Sequence, residues 1–293
     1  MSKAFFVEQA ISNLDSCPRQ PHRNAIASSW KSVLEFGGWV LIIGFALSVI
    51  ALVWIDFSWW TIFRRCVSIA AVLSLWLCAE PTKRRLSGKY GLASFREGKR
   101  HLLLGLGLGF SVLVIMGSLG LVSGACRIAV TPDRSKLWSA LLSFIPGALL
   151  VSVIEECVFR GFILRRLLAI STPVAIAVSS ALYALVHLKN TSIALTTWLE
   201  LGGLALLGAL LALTYLRTGH LYLAIGLHAS LAYGVRINKL LIAIPNQSIS
   251  WLIGTSVLVN GVVNWLALLA LGAAVMGVER SSHHRGGMSH ENL

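Results

Sequence analysis

Eight apolar runs divide the chain, and each approaches the ~20 residues that a helix needs to cross a bilayer. They fall at 37–55, 59–79, 102–125, 137–159, 173–190, 198–216, 221–241 and 255–277. Lipid offers no hydrogen bonds to a bare backbone, so such runs must satisfy their amides internally, as helices. The expected fold class is therefore all-α, a polytopic transmembrane bundle of about eight spans. Composition agrees: 56% of the 293 residues are hydrophobic, 13% are charged, and mean hydropathy is +0.76. A soluble domain carries roughly 25% charged residues. The first 32 residues are polar and contain no 7–15-residue apolar core, so no cleavable secretion signal is expected.

The net charge of +13 raises the question of nucleic acid, but the basic residues follow the connections between apolar runs. With the N-terminus on the cytoplasmic side, 17 of the 25 Lys and Arg residues lie in cytoplasmic segments, and the loops 56–58 and 245–254 hold none. The rule that positive charge stays inside accounts for this pattern. It predicts an N-in, C-in integral membrane protein with no nucleic-acid partner. Four parts are expected. They are a polar cytoplasmic tail at 1–36, N-terminal spans with a basic loop at 37–125, a main helical domain at 137–277, and a polar tail at 278–293.

Several local patterns carry less chemistry. Arg64 and Arg65, near the start of the second run, are expected to snorkel to the interface. Pro146-Gly147 predicts a kink in the fourth run, and Ser171-Thr172-Pro173 is a helix-start signal for the fifth. Glycines spaced by four, Gly105/Gly109 and Gly120/Gly124, predict close helix approach. G-L-G-L-G at 105–109 is not a dinucleotide fingerprint, because no strand precedes it and the spacing differs. Cys17, Cys66, Cys78, Cys126 and Cys157 include no C-x-x-C pair and read as small core residues. A catalytic thiol at Cys157 would need a base within reach. His283, His284 and His290 lie in the polar tail, where a solvated end is the simple reading and weak metal binding the alternative.

Intramembrane polar groups are the informative ones, because a charge at bilayer depth costs about 2.5–3.5 kcal/mol on insertion scales. Glu155 and Glu156 sit near the cytoplasmic end of the fourth run, in V-I-E-E-C-V-F-R-G. On an α-helix Glu156 and Arg160 are about 40° apart in azimuth and can pair, whereas Glu155 lies about 140° from Arg160. Glu155 then faces elsewhere, suited to taking a proton from water. The simpler alternative puts both glutamates at the interface, meeting Arg160, Arg165 and Arg166. His187 ends the fifth run and His228 lies inside the seventh, so three separate helices each bring one Glu or His, the parts of a hydrolytic centre. Asn260 and Asn264 fit helix–helix hydrogen bonding, and Glu200 is expected at the interface.

These residues resemble a known family. E-E-C-V-F-R at 155–160 matches E-E-x-x-x-R, the first signature of the CAAX prenyl endopeptidase and bacteriocin-processing family of intramembrane proteases. Y-A-L-V-H at 183–187 matches its F-x-x-x-H signature with Tyr183 in place of Phe. H-A-S-L-A at 228–232 matches H-x-x-x-N at His228 only, because position 232 is Ala. The resemblance implies a cavity open to the cytoplasm and inner leaflet. It makes Glu155 the general base, His187 a holder of the attacking water, and His228 an oxyanion donor, with Glu156 and Arg160 orienting. Ser230, Tyr233 or Asn264 would have to replace the missing donor at 232, unless one donor suffices.

The expected activity is hydrolysis of a peptide bond in a membrane-associated substrate, lipidated or amphipathic, near the cytoplasmic face. A metal-free route is expected. A zinc route would use Glu155, His187 and His228, a two-histidine, one-carboxylate set. Two other classes compete: a non-catalytic scaffold or immunity protein, favoured by Ala232, and a transporter. A transporter is expected to show two related halves, and the carboxylate pair has no counterpart in the first half.

Overall fold

The computed structural model describes residues 23–78, 91–92, 94–129, 134–187, 194–244, 249–254 and 259–277. Expectations for the tail before residue 23, for most of the basic loop after the second run and for the histidine-bearing C-terminal tail lie outside them. Within the described residues, eight main helices stand where the apolar runs are. They are α1 (Arg23–Leu52), α2 (Trp59–Leu77), α3 (Phe95–Val122), α4 (Arg134–Glu156), α5 (Thr172–His187), α6 (Leu195–Thr218), α7 (Tyr222–Leu241) and α8 (Val262–Met276). Five segments are long and apolar enough to cross a membrane: Ala25–Leu52, Trp59–Leu77, Phe95–Val122, Leu137–Leu167 and Leu195–Thr218. α5 and α8 are shorter apolar helices. The protein is thus an all-α helical membrane protein, with the outward display of Leu, Ile, Val, Phe and Trp that lipid, rather than water, tolerates.

Two boundaries differ from the sequence reading. α1 begins at Arg23, so residues 23–36 are helical rather than part of a polar tail. Ser29, Val33 and Phe36 form a buried stripe at helical spacing, and the Phe36 ring meets Phe162 at 4.7 Å. The second difference follows α4. Its helix does not end at Glu156 but widens into a π-helix over Cys157–Leu164, then closes with one α turn at Arg165–Leu167. Pro146 lies inside α4 without ending it.

α7 packs against α3, α4 and α6, and the π stretch packs against α2, α5 and α6. Gly219, in the left-handed conformation at φ +72°, ends α6 and turns the chain into α7 within a few residues. A two-residue antiparallel pair, Arg127–Ile128 with Ile242–Ala243, ties the exit of α3 to the exit of α7. Ser171 Oγ accepts from the Val174 amide at 3.3 Å, so the predicted start of α5 holds.

The glycine expectation divides. A Cβ at Gly105 would run into the Leu223 carbonyl oxygen, and one at Gly226 into the Leu102 carbonyl oxygen, so these two glycines set the α3–α7 crossing. Gly109 likewise faces Ser230 of α7. Gly120 instead faces Cys126 of the following turn, and Gly124 has φ +71° with nothing near it, so the second pair serves a turn. Gly105→Val would push backbone against backbone, with nothing flexible to yield. We expect a loss of at least 1–3 kcal/mol, roughly the usual cost of overpacking, read as a lower melting temperature in detergent. Gly107→Ala, on the same helix with open space around it, should leave melting unchanged.

Candidate active site

Glu155 and Glu156 occupy the last turn of α4, where the helix is about to widen. Glu156 points inward and Arg160, on the π stretch, reaches back to it: Arg160 Nη1 donates to Glu156 Oε1 at 3.0 Å. The pair is 1% and 0% exposed. Arg160 Nη2 donates to the Gly208 carbonyl of α6 at 2.9 Å, and its guanidinium lies 4.8 Å from the centre of the Tyr183 ring. A buried charge pair is best tolerated when its remaining hydrogen-bonding groups are met; Glu156 Oε2 and Arg160 Nε find no partner among the described residues. Here one charged group joins the π stretch, α5 and α6. Gly208 was not singled out from sequence. Its signal is steric, since a Cβ there would press on Ser180 of α5.

The same Glu156 oxygen takes a second contact, from His228 Nδ1 of α7 at 2.8 Å. Because Oε1 belongs to a carboxylate already paired with Arg160, it accepts, and His228 carries its hydrogen on Nδ1. His187 shows the parallel arrangement. Its Nδ1 lies 2.8 Å from the Tyr183 carbonyl oxygen, which can only accept. In both neutral rings the acceptor nitrogen is therefore Nε2.

Both Nε2 atoms turn toward Glu155. Its Oε2 lies 3.3 Å from His187 Nε2 and 3.7 Å from His228 Nε2. Oε2 makes no hydrogen bond among the described residues, although it is buried. Three groups that accept in their neutral-histidine forms thus converge, an arrangement that favours a proton, or a molecule bringing hydrogens, at that point. Glu155 and His187 side chains are 23% and 27% exposed against 6% for His228, so the centre opens on the Glu155–His187 side.

The structure brings together Glu155, Glu156, Arg160, Tyr183, His187 and His228. The interfacial alternative, with both glutamates on Arg160, Arg165 and Arg166, does not describe it, because Glu155 meets the histidines. Ser230 donates within its own helix to Gly226 and Leu227. Tyr233 Oη donates to the Leu141 carbonyl at 3.3 Å, and Asn264 Nδ2 to the Ile253 carbonyl at 3.3 Å. All three substitutes proposed for position 232 are engaged elsewhere. Asn260 precedes α8 instead of lying on it. Cys66, Cys78, Cys126 and Cys157 are free thiols. Among the described residues, no three His, Cys, Asp or Glu side chains stand in an arrangement that would hold a metal ion.

A carboxylate and two histidines thus meet from three helices, beside a buried Glu–Arg pair. Residues 137–233 match a protein-family model described as Rce1-like, "Type II CAAX prenyl endopeptidase Rce1-like". That is the family whose signatures the sequence resembles, and the match contains every residue of the centre while covering less than half of the 293-residue chain. No curated protein and no solved structure matches the chain.

Proposed function

We propose that the chain is an intramembrane endopeptidase that hydrolyses a peptide bond in a membrane-associated peptide or protein. The observation that carries the reading is the convergence of Glu155 with His187 and His228 inside the segment that matches the Rce1-like family. Water held at Glu155 and His187 attacks the carbonyl, and Glu155 takes its proton. His228, which takes a solvent proton on Nε2 before the attack, donates to the oxygen that becomes negative while Glu156 at Nδ1 stabilises the imidazolium. The proton taken by Glu155 passes to the leaving amine as the C–N bond breaks. Glu156 and Arg160 hold this geometry rigid.

The substrate class is a lipidated or amphipathic chain. A lipid anchor contributes about 0.8 kcal/mol per buried methylene, which suits a centre set among apolar helices. The charge pattern of the connections supports an N-in, C-in topology of about eight spans, and with it a centre near the cytoplasmic face. The route proposed is metal-independent, with Glu155 as the base that takes the proton from water. Ala232 favours the second reading, a membrane scaffold that binds a partner without cleaving it.

The test is cleavage of a farnesylated C-terminal C-a-a-X reporter peptide by purified protein in detergent or liposomes. Release of the terminal residues is expected, unchanged by 1,10-phenanthroline. Loss of activity with the chelator, restored by zinc, would assign Glu155, His187 and His228 as metal ligands. No cleavage of this peptide, or of any membrane peptide, would favour the scaffold.

A further inference from the structure

Tyr183 touches both site histidines in different ways. Its main-chain oxygen receives His187 Nδ1–H at 2.8 Å, and its side-chain hydroxyl lies 3.4 Å from His228 Nε2. The ring between these two contacts is held on several sides. Arg160 lies over it at 4.8 Å, the His187 ring tilts against it at 4.4 Å, and Phe159 meets it edge-on at 5.2 Å. At 1% exposure, Tyr183 has no freedom to place its hydroxyl elsewhere.

The Glu156 carboxylate fixes the hydrogen of His228 on Nδ1, so in the neutral ring Nε2 can only accept. The Tyr183 hydroxyl can donate to it, which makes the phenol the complement of the imidazole. With Phe at this position the ring packing would survive and the hydrogen bond would not. The hydroxyl therefore does something that packing does not require.

We propose that Tyr183 is the positioning residue that sets hydrogen placement at the centre, its carbonyl fixing the tautomer of His187 and its hydroxyl holding His228 Nε2 toward Glu155. It acts through the histidines and does not itself react. When His228 becomes protonated on Nε2, the hydroxyl hydrogen rotates away and the phenol oxygen remains beside the new N–H. The kinetic consequence rests on the peptidase reading, whereas the hydrogen placement does not.

The experiment uses full-length Tyr183→Phe, with histidines labelled for nitrogen NMR and His228→Asn to assign the His228 signal. We expect the Nε2 resonance to move downfield, toward that of an imine nitrogen without a donor, while melting stays close to wild type. On the farnesylated reporter, kcat should fall about tenfold, the loss of one hydrogen bond near the upper end of its usual worth. KM should not change. An unchanged His228 resonance, or wild-type kcat in an active enzyme, would overturn the proposal. A shifted resonance in a protein that cleaves nothing would refute the peptidase reading and leave the hydrogen placement standing.

Discussion

Glu155→Gln should abolish hydrolysis without weakening the fold. The amide keeps the shape of the carboxylate but cannot take a proton from water, and a positioned general base contributes roughly 10²–10⁴-fold. Activity on the farnesylated reporter should drop by at least that range. Stability should stay level or rise. In the wild type, Glu155 Oε2 faces two imidazole nitrogens at 3.3 and 3.7 Å, and all three accept when the histidines are neutral. Glutamine brings two hydrogens to that point, so the substitution relieves a local conflict. A residue that opposes stability while serving chemistry is a familiar trade-off. Thermal melting in detergent, measured beside turnover, checks both halves. A Glu155→Gln protein that melts well below wild type would show that the carboxylate is structural.

The second large effect concerns Arg160. Replacing it with Met leaves the Glu156 carboxylate buried at 0% exposure, with His228 as its remaining partner. Removing one member of a buried pair typically costs about 3–5 kcal/mol. The Gly208 carbonyl also loses its donor, and Tyr183 loses the cation over its ring. Arg160→Met should therefore be poorly folded or melt far below wild type. Adding Glu156→Gln removes the stranded charge, and the double variant should recover part of the loss. That non-additivity is the signature of two groups acting as one. Additive losses would mean that the pair contributes little to cohesion. The double variant should not retain activity even where it folds, since glutamine at position 156 lacks the carboxylate charge that stabilises the His228 imidazolium.

Much of this arrangement is readable from the chain because both of its periodicities are simple. Long apolar runs locate every main helix, since lipid leaves no other way to satisfy the backbone. The match is within about three residues at both ends for α2, α4, α5, α6 and α7, and less close at the starts of α1, α3 and α8. The spacing of Glu156 and Arg160 predicts their pairing on an α-helix, and they do pair, although Arg160 lies on a π stretch. The wider turn leaves four-residue neighbours close enough to meet, so the pair forms despite the change of helix type. The π stretch itself has no sequence signature in C-V-F-R-G-F-I-L; its stability comes from burial of Val158 through Leu164 against three other helices. The start of α1 was missed for a related reason. Residues 23–36 are polar overall, and only the stripe of Ser29, Val33 and Phe36 shows that one face is buried.

At the site, the identity of the participants is readable and their hydrogen placement is not. Glu155, His187 and His228 stand out as costly groups in apolar runs. Which nitrogen of each histidine carries the hydrogen depends on Glu156 and on a main-chain oxygen, partners that only the fold supplies. The same holds for Gly208, whose carbonyl matters because α6 passes close to Arg160. Ser230, Tyr233 and Asn264 are plausible donors by residue type, yet each is already bonded elsewhere.

The most direct test of the central claim is terminal-peptide mass spectrometry on membranes from cells expressing wild-type protein or Glu155→Gln at matched levels. The account predicts new peptide termini, from lipidated or amphipathic membrane-associated proteins, that are present with the wild type and absent with the variant. Identical terminal profiles at equal expression would contradict it, and the chain would then be a scaffold built on the frame of a peptidase.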